Sequence, residues 1–199
     1  TILHAGGKFG GGGYKMAGGL HGVGASVVNA LSVWLKLTSC DGSEIHYQEF
    51  VRGHYDEEMK VIGQTDRTGT EVIFKPDGEI FEDTHFDYET LETRLREQAF
   101  LKAGLRIILR DSRDPENIRE DNMYYEGGIR SFVEHIHARK KVDVVHPDVI
   151  YLSRVEENRT AEIALQYNSD FNELVLSFAN NIHTVEGGFH EVGFKTALT

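Results

Sequence analysis

Residues 6–24 read GGKFGGGGYKMAGGLHGVG and run straight into Ala25–Leu35, ASVVNALSVWL, whose apolar spacing predicts a helix. Ten of the chain's 21 glycines fall in that run. Without Cβ atoms a backbone can adopt positive φ and bring its amides up against a ligand. A helix start directly behind adds unpaired N–H groups and the positive end of a dipole, a combination that suits phosphate. The charges agree: no Asp or Glu precedes Asp41, whereas Lys8, Lys15 and Lys36 do.

Two familiar phosphate loops are excluded by spelling. A P-loop needs a lysine followed by Ser or Thr, but Phe9 follows Lys8 and Met16 follows Lys15. The dinucleotide fingerprint G-x-G-x-x-G is reversed here, because Gly19, Gly22 and Gly24 are spaced G-x-x-G-x-G. From the residues alone, Gly10–Gly13 reads equally as a mobile tether or a functional lid. Gly18–Gly24 is either a turn capping a helix or an anion cradle, and the lysines favour the cradle.

The rest of the chain is acidic, with 21 Lys+Arg against 32 Asp+Glu and a formal net charge of −11. Such a balance argues against this piece gripping DNA by itself, since non-specific affinity needs a basic patch. Its 199 residues and 40% hydrophobic content allow one large domain or two small ones. The single Cys40 excludes an internal disulfide framework, and no stretch approaches the roughly 18 apolar residues of a membrane helix. A cytoplasmic setting without membrane contact is the expectation. Thr1 and Thr199 both read as cut ends.

Along the chain, Leu35–Ser39 and Glu44–Arg52 flank the turn CDGS and predict a hairpin; Gly69–Lys75 predicts a strand ended by Pro76-Asp77-Gly78. Phe86–Ala103 carries Leu91, Leu95, Ala99 and Phe100 at helical spacing, with Gly104 as a stop before the strand Leu105–Arg110. Residues 111–126 hold eight charged side chains in 16, and a domain boundary is placed there. Beyond it come a helix over Gly128–Lys140, a hairpin of Thr160–Tyr167 with Glu173–Ala179, and a helix over Gly193–Thr199. Val28, Leu31 and Leu35 are expected in the core. His135 and His137 fit no metal spacing and are expected on a solvated helix face.

Taken together, AGGKF at 5–9, YK at 14–15, GGLHGVGASVVNALS at 18–32, TGT at 68–70 and YEGG at 125–128 resemble the ATPase region of type IIA DNA topoisomerase B subunits. The resemblance runs the length of the chain in consistent order. It implies an α+β fold of the GHKL ATPase type, a mostly antiparallel sheet with helices on one face, lacking its N-terminal part. This occupies residues 1–125, and the start of a ribosomal-S5-like transducer domain occupies 126–199. It further implies that the segment from Lys8 to Gly24 is the ATP lid. Lys8 would face the terminal phosphates and Tyr14 the adenosine. Gly19, Leu20, His21, Gly22, Val23 and Gly24 would line the phosphates, and Thr70 would bond near the adenine ring. Without the family, Thr70 is equally well a strand residue chosen for β propensity.

In the family a glutamate activates water, an asparagine one turn later holds Mg²⁺, and a D-x-G-x-G motif reads adenine. None of these is present here, and the Q-T-K loop of the transducer is absent too. The expectation is a chain that binds ATP but holds neither catalytic residue nor metal ligand, the Mg²⁺ site lying upstream. Alone it should not hydrolyse ATP, and residues 8–17 should be its least ordered part. For the intact protein the resemblance implies ATP-driven double-strand passage. Its partners would be DNA, an A subunit in an assembly of two A and two B subunits, and a second B subunit on ATP binding. ANNIHTVEGG at 179–188 leans toward the supercoiling over the decatenating branch. Other GHKL proteins, namely Hsp90-like chaperones, MutL-type repair ATPases and sensor kinases, are disfavoured by LHGVG, TGT and YEGG. A module that binds nucleotide without cleaving it is the non-enzymatic alternative.

Overall fold

A computed structural model describes residues 22–157 and 159–199. Lys8, Tyr14, Gly19, Leu20 and His21, and the order expected of residues 8–17, lie outside the described residues. Contacts divide the chain into two compact units, Thr1–His85 and Phe86–Thr199.

In the first unit α1 (Gly24–Ala30) leads into four antiparallel strands, β1 (Ser32–Asp41), β2 (Glu44–Val51), β3 (Lys60–Gln64) and β4 (Thr68–Pro76), arranged β3-β2-β1-β4. The expected hairpin is β1–β2. Gly42, at φ +94°, makes its turn, and the Asp41 carboxylate accepts from Ser43 N and Glu44 N at 2.8 Å each. Those bonds, led by the Glu44 amide, hold the Asp41 carboxyl well below the usual carboxylate range. Register aligns Leu35 with Phe50 on one side and Phe74 on the other, and Leu35 and Phe50 form the buried row. Period-two order thus decides which face becomes core.

The helix predicted to reach Leu35 stops at Ala30. Ser32 Oγ donates back to Val28 O at 2.6 Å, and the pairing of Ser32 with Pro76 starts the sheet there. Of the three expected core residues, Leu35 is 1% exposed, Leu31 half-buried, and Val28 on the exposed side of the short helix. The polar edge strand β3 had no sequence signal strong enough to read.

The second unit holds α2 (Tyr88–Leu101), the hairpin β5 (Arg106–Asp111)–β6 (Arg119–Tyr124), α3 (Ile129–Lys140), the hairpin β7 (Ile150–Glu156)–β8 (Arg159–Leu165), the short pair β9 (Phe178–Ala179)–β10 (Ile182–His183) and α4 (Phe189–Leu198). Its core centres on Phe100, whose ring stacks on Tyr125 at 3.7 Å and on Phe132 at 4.8 Å between centroids. Its neighbour Ala99, and Met123 on β6, are fully buried as well.

Three expectations change here. The charged run 111–126 contains β6, because its charges are paired. Arg110 Nε donates to Glu120 at 2.5 Å, and Tyr88 Oη donates to Asp121 at 2.6 Å beneath an Arg119 guanidinium 3.8 Å from the Tyr88 ring. Burial, then the Asp121 bond, pushes the Tyr88 hydroxyl up to about 12. Secondly, Thr160–Leu165 pairs with the preceding Ile150–Glu156 instead of with residues 173–179. Thirdly, His135 and His137 are half-buried: the His135 ring lies 5.3 Å from Phe100, and its proton affinity is lowered chiefly by burial.

Candidate functional site

The described part of the site is the start of α1. Gly22 is buried at φ +65°, a conformation that L side chains adopt only with strain. It turns the chain into Val23, the N-cap, whose carbonyl accepts from Val27 N at 2.9 Å. No side chain caps this end and no acid occupies its first turn. A Cβ built on Gly24 would meet nothing within 4 Å among the described residues, which leave the backbone approachable there. Approachable amides, a positive dipole end and no competing carboxylate fit a phosphate group.

The far end of α1 is pinned, by residues that reading the sequence did not single out. Asp77, 3% exposed, donates its amide to Leu31 O at 3.0 Å. Its carboxylate receives Arg52 Nε at 3.0 Å and Glu79 N at 3.0 Å. Arg52 also reaches Glu79 at 2.7 Å, which lowers the proton affinity of Glu79 and raises that of Arg52. Gly53, at φ +81°, follows, and a Cβ there would lie 3.4 Å from Ala30 Cα. Arg52 N bonds Val33 O at 3.2 Å. Only the Asp-Gly turn at 77–78 hinted at this arrangement. Asn29, 5% exposed, keeps its Oδ1 without a hydrogen-bond partner among the described residues.

Thr70 stands exposed on β4 opposite Ser39, on the same face as Leu35 and Phe50 but four residues along from their row. It is six residues, roughly 20 Å of strand, from the Pro76 end where α1 is anchored. No group of three or more His, Cys, Asp or Glu among the described residues is arranged to hold a metal. No helix is long and apolar enough to cross a membrane among those residues.

Comparison with known proteins agrees with this geometry. The DNA gyrase B family profile matches residues 128–199. The chain is 54% identical over its whole length to the DNA gyrase B protein of Staphylococcus aureus, and 55% identical to that of Halalkalibacterium halodurans. It spans about a third of those relatives, 31% of each. Among solved structures, the 43K ATPase domain of Thermus thermophilus gyrase B in complex with an aminocoumarin superposes with a TM-score of 0.79. That match is at 35% identity over 88% of this chain and 47% of that one. The α+β architecture is therefore that of the GHKL-type gyrase B ATPase region. Along its whole length the chain is thus similar to DNA gyrase B proteins, and its residues 128–199 match that family's profile.

Proposed function

We propose that this chain is the nucleotide-holding part of an ATP-dependent type IIA topoisomerase that supercoils DNA negatively by double-strand passage. The observation that carries the reading is the uncapped, acid-free start of α1 behind Gly22, in a chain 54% identical throughout to a gyrase B protein. The amides of Gly19, Leu20, His21, Gly22, Val23 and Gly24 would receive the phosphates of ATP. Lys8 would add a cation at the terminal phosphates, Tyr14 would meet the adenosine, and Thr70 would bond near the base. ATP supplies a phosphoanhydride whose cleavage drives the cycle. The Mg²⁺ that accompanies it has no ligand set among the described residues.

In this reading the lid orders on the nucleotide, at roughly 1–2 kcal/mol per residue fixed. Two B subunits then join through their ATPase regions, and one duplex is trapped for passage through another. DNA, the A subunit and a second B subunit are the partners, and the cytoplasm is the setting. We place the boundary between the ATPase and transducer domains near 125–126. The gyrase B profile beginning at residue 128 supports that boundary. The compact units divide earlier, at 85–86, because the Phe100 stack on Tyr125 and Phe132 draws α2 toward α3.

The test uses the full-length protein with its A subunit. Relaxed circular DNA should become negatively supercoiled only with ATP, and Lys8→Ala should weaken binding of a non-hydrolysable ATP analogue in calorimetry. Decatenation without supercoiling would assign the protein to the topoisomerase IV branch. Analogue binding without hydrolysis would make it a nucleotide sensor.

A further inference from the structure

Two histidines of the second unit have every ring nitrogen assigned by their neighbours. Gln166 Nε2 donates to the carbonyl oxygens of His146 and Pro147 at 2.9 and 3.2 Å, so its Oε1 is the atom facing His137 Nδ1 at 2.9 Å. A carbonyl oxygen only accepts, so Nδ1 of His137 carries the proton. On the other side, Asn168 Oδ1 accepts from Asp170 N at 2.9 Å, which leaves Nδ2 to donate to His137 Nε2 at 3.0 Å. His146 is fixed in the same sense. Tyr167 N donates to its Nε2 at 3.0 Å, and its Nδ1 donates to Asp148 O at 2.7 Å.

We propose that His137 and His146 form a proton-gated latch fastening the 141–149 loop to the 166–170 turn. With both rings neutral the latch is closed, and a proton on Nε2 of either ring opens it. Such a proton would face Asn168 Nδ2 or the Tyr167 amide, donor against donor. Asn168 cannot turn over without losing Asp170 N, and a main-chain N–H cannot turn over at all. The latch closes two backbone links, Val145 N to Tyr167 O at 2.9 Å and Ser169 N to Asp143 O at 2.8 Å, which together make the bridge pairing of Val144 with Asn168.

The charged and titratable groups around the pair come from each element packed there. Glu134 lies on α3 with His137, Lys141, Asp143 and Asp148 belong to the loop, and Asp170 to the turn. The Tyr167 ring lies 5.8 Å from that of His146. Asp143 and Asp148 act through their carbonyl oxygens, and among the described residues no carboxylate oxygen is hydrogen-bonded to either ring. Imidazole titrates between about pH 5 and 8. A proton on either ring sets donor against donor in the closed state only, so the open state binds more protons than the closed one and acidification favours opening.

The experiment is hydrogen-exchange mass spectrometry of the full-length protein at pH 7.5 and 5.5, with rates corrected for intrinsic exchange. Peptides covering 141–149 and 166–170 should lose protection about tenfold or more at the acid pH, while a peptide from the β1–β2 hairpin should not. In the double variant N168D/H146Q, a carboxylate accepts from protonated His137 and an uncharged amide oxygen accepts from the Tyr167 amide. Its acid loss should vanish. Equal protection of the wild-type peptides at both pH values, or an undiminished acid loss in the double variant, would overturn the latch.

Discussion

The two helix starts, α1 and α2, are built in opposite ways. At α2, Asp87 Oδ1 accepts from Thr90 N at 2.8 Å, and Glu89 adds a second negative charge in the first turn. That amide is satisfied within the protein, and the acids repel any incoming anion. At α1, no side chain caps the end, no acid occupies the first turn, and buried Gly22 sets the entry angle. The far ends are alike: Phe100 fixes α2 in its aromatic stack, and the Asp77–Arg52 cluster fixes α1. One helix is finished at both ends; the other is finished at one end and presents the other to a ligand.

The comparison can be broken at either helix. Phe100→Ala removes the 1%-exposed centre of the α2 anchor and should cost about 3–5 kcal/mol in urea unfolding. A loss below about 1 kcal/mol would mean the stack is not what holds α2. Asp77→Ala leaves Arg52 Nε and Glu79 N without their acceptor, at about 2 kcal/mol, and should loosen the exchange protection of Leu31–Val33 before that of the β1–β2 hairpin. Gly22→Ala should lower stability by only about 1 kcal/mol but weaken ATP-analogue binding about tenfold or more, measured by calorimetry on the full-length protein. Unchanged affinity would remove α1 from the phosphate site.

The smallest effect concerns pH. Hydrogen bonds from Thr90, the side chain first and then the backbone, hold the Asp87 carboxyl below its ordinary value of 3.8. Its capping contribution is therefore present above that value and lost as pH falls through the folded value. Far-ultraviolet dichroism should show the α2 start fraying in that acid window, and Asp87→Ala should look the same at neutral pH as the wild type does there. The α1 start, which has no such carboxylate, should not respond.

Much of the fold was legible because its signals are local. The β1–β2 hairpin follows from alternation around Asp41–Ser43, and α2 and α3 follow from apolar spacing closed by Gly104 and opened by Gly128. What escaped depended on partners distant in sequence. β6 is polar enough to read as a linker, and it becomes a strand because Arg110 and Tyr88 meet its Glu120 and Asp121 from elsewhere while its own Arg119 lies over the Tyr88 ring. The pairing of β8 with β7 instead of the next segment likewise turns on choices that alternation alone does not make. For the site, Gly22–Gly24 and Thr70 were readable as motifs; Asn29 and Asp77 lay inside quoted stretches with no role read for them, and Arg52 carried no motif at all. Charge pairs and a buried carboxamide announce themselves only once the chain has brought them together.

The three-point attachment behind α1 has a mechanical meaning. Seven residues make a rod about 10 Å long, held at one tip by Ser32, Asp77 and the close approach of Gly53 to Ala30. A rod clamped at one tip cannot slide along its axis. Any push on its free tip becomes a swing about the clamp, and that torque is delivered to the Ser32–Pro76 corner where β1 and β4 begin their pairing.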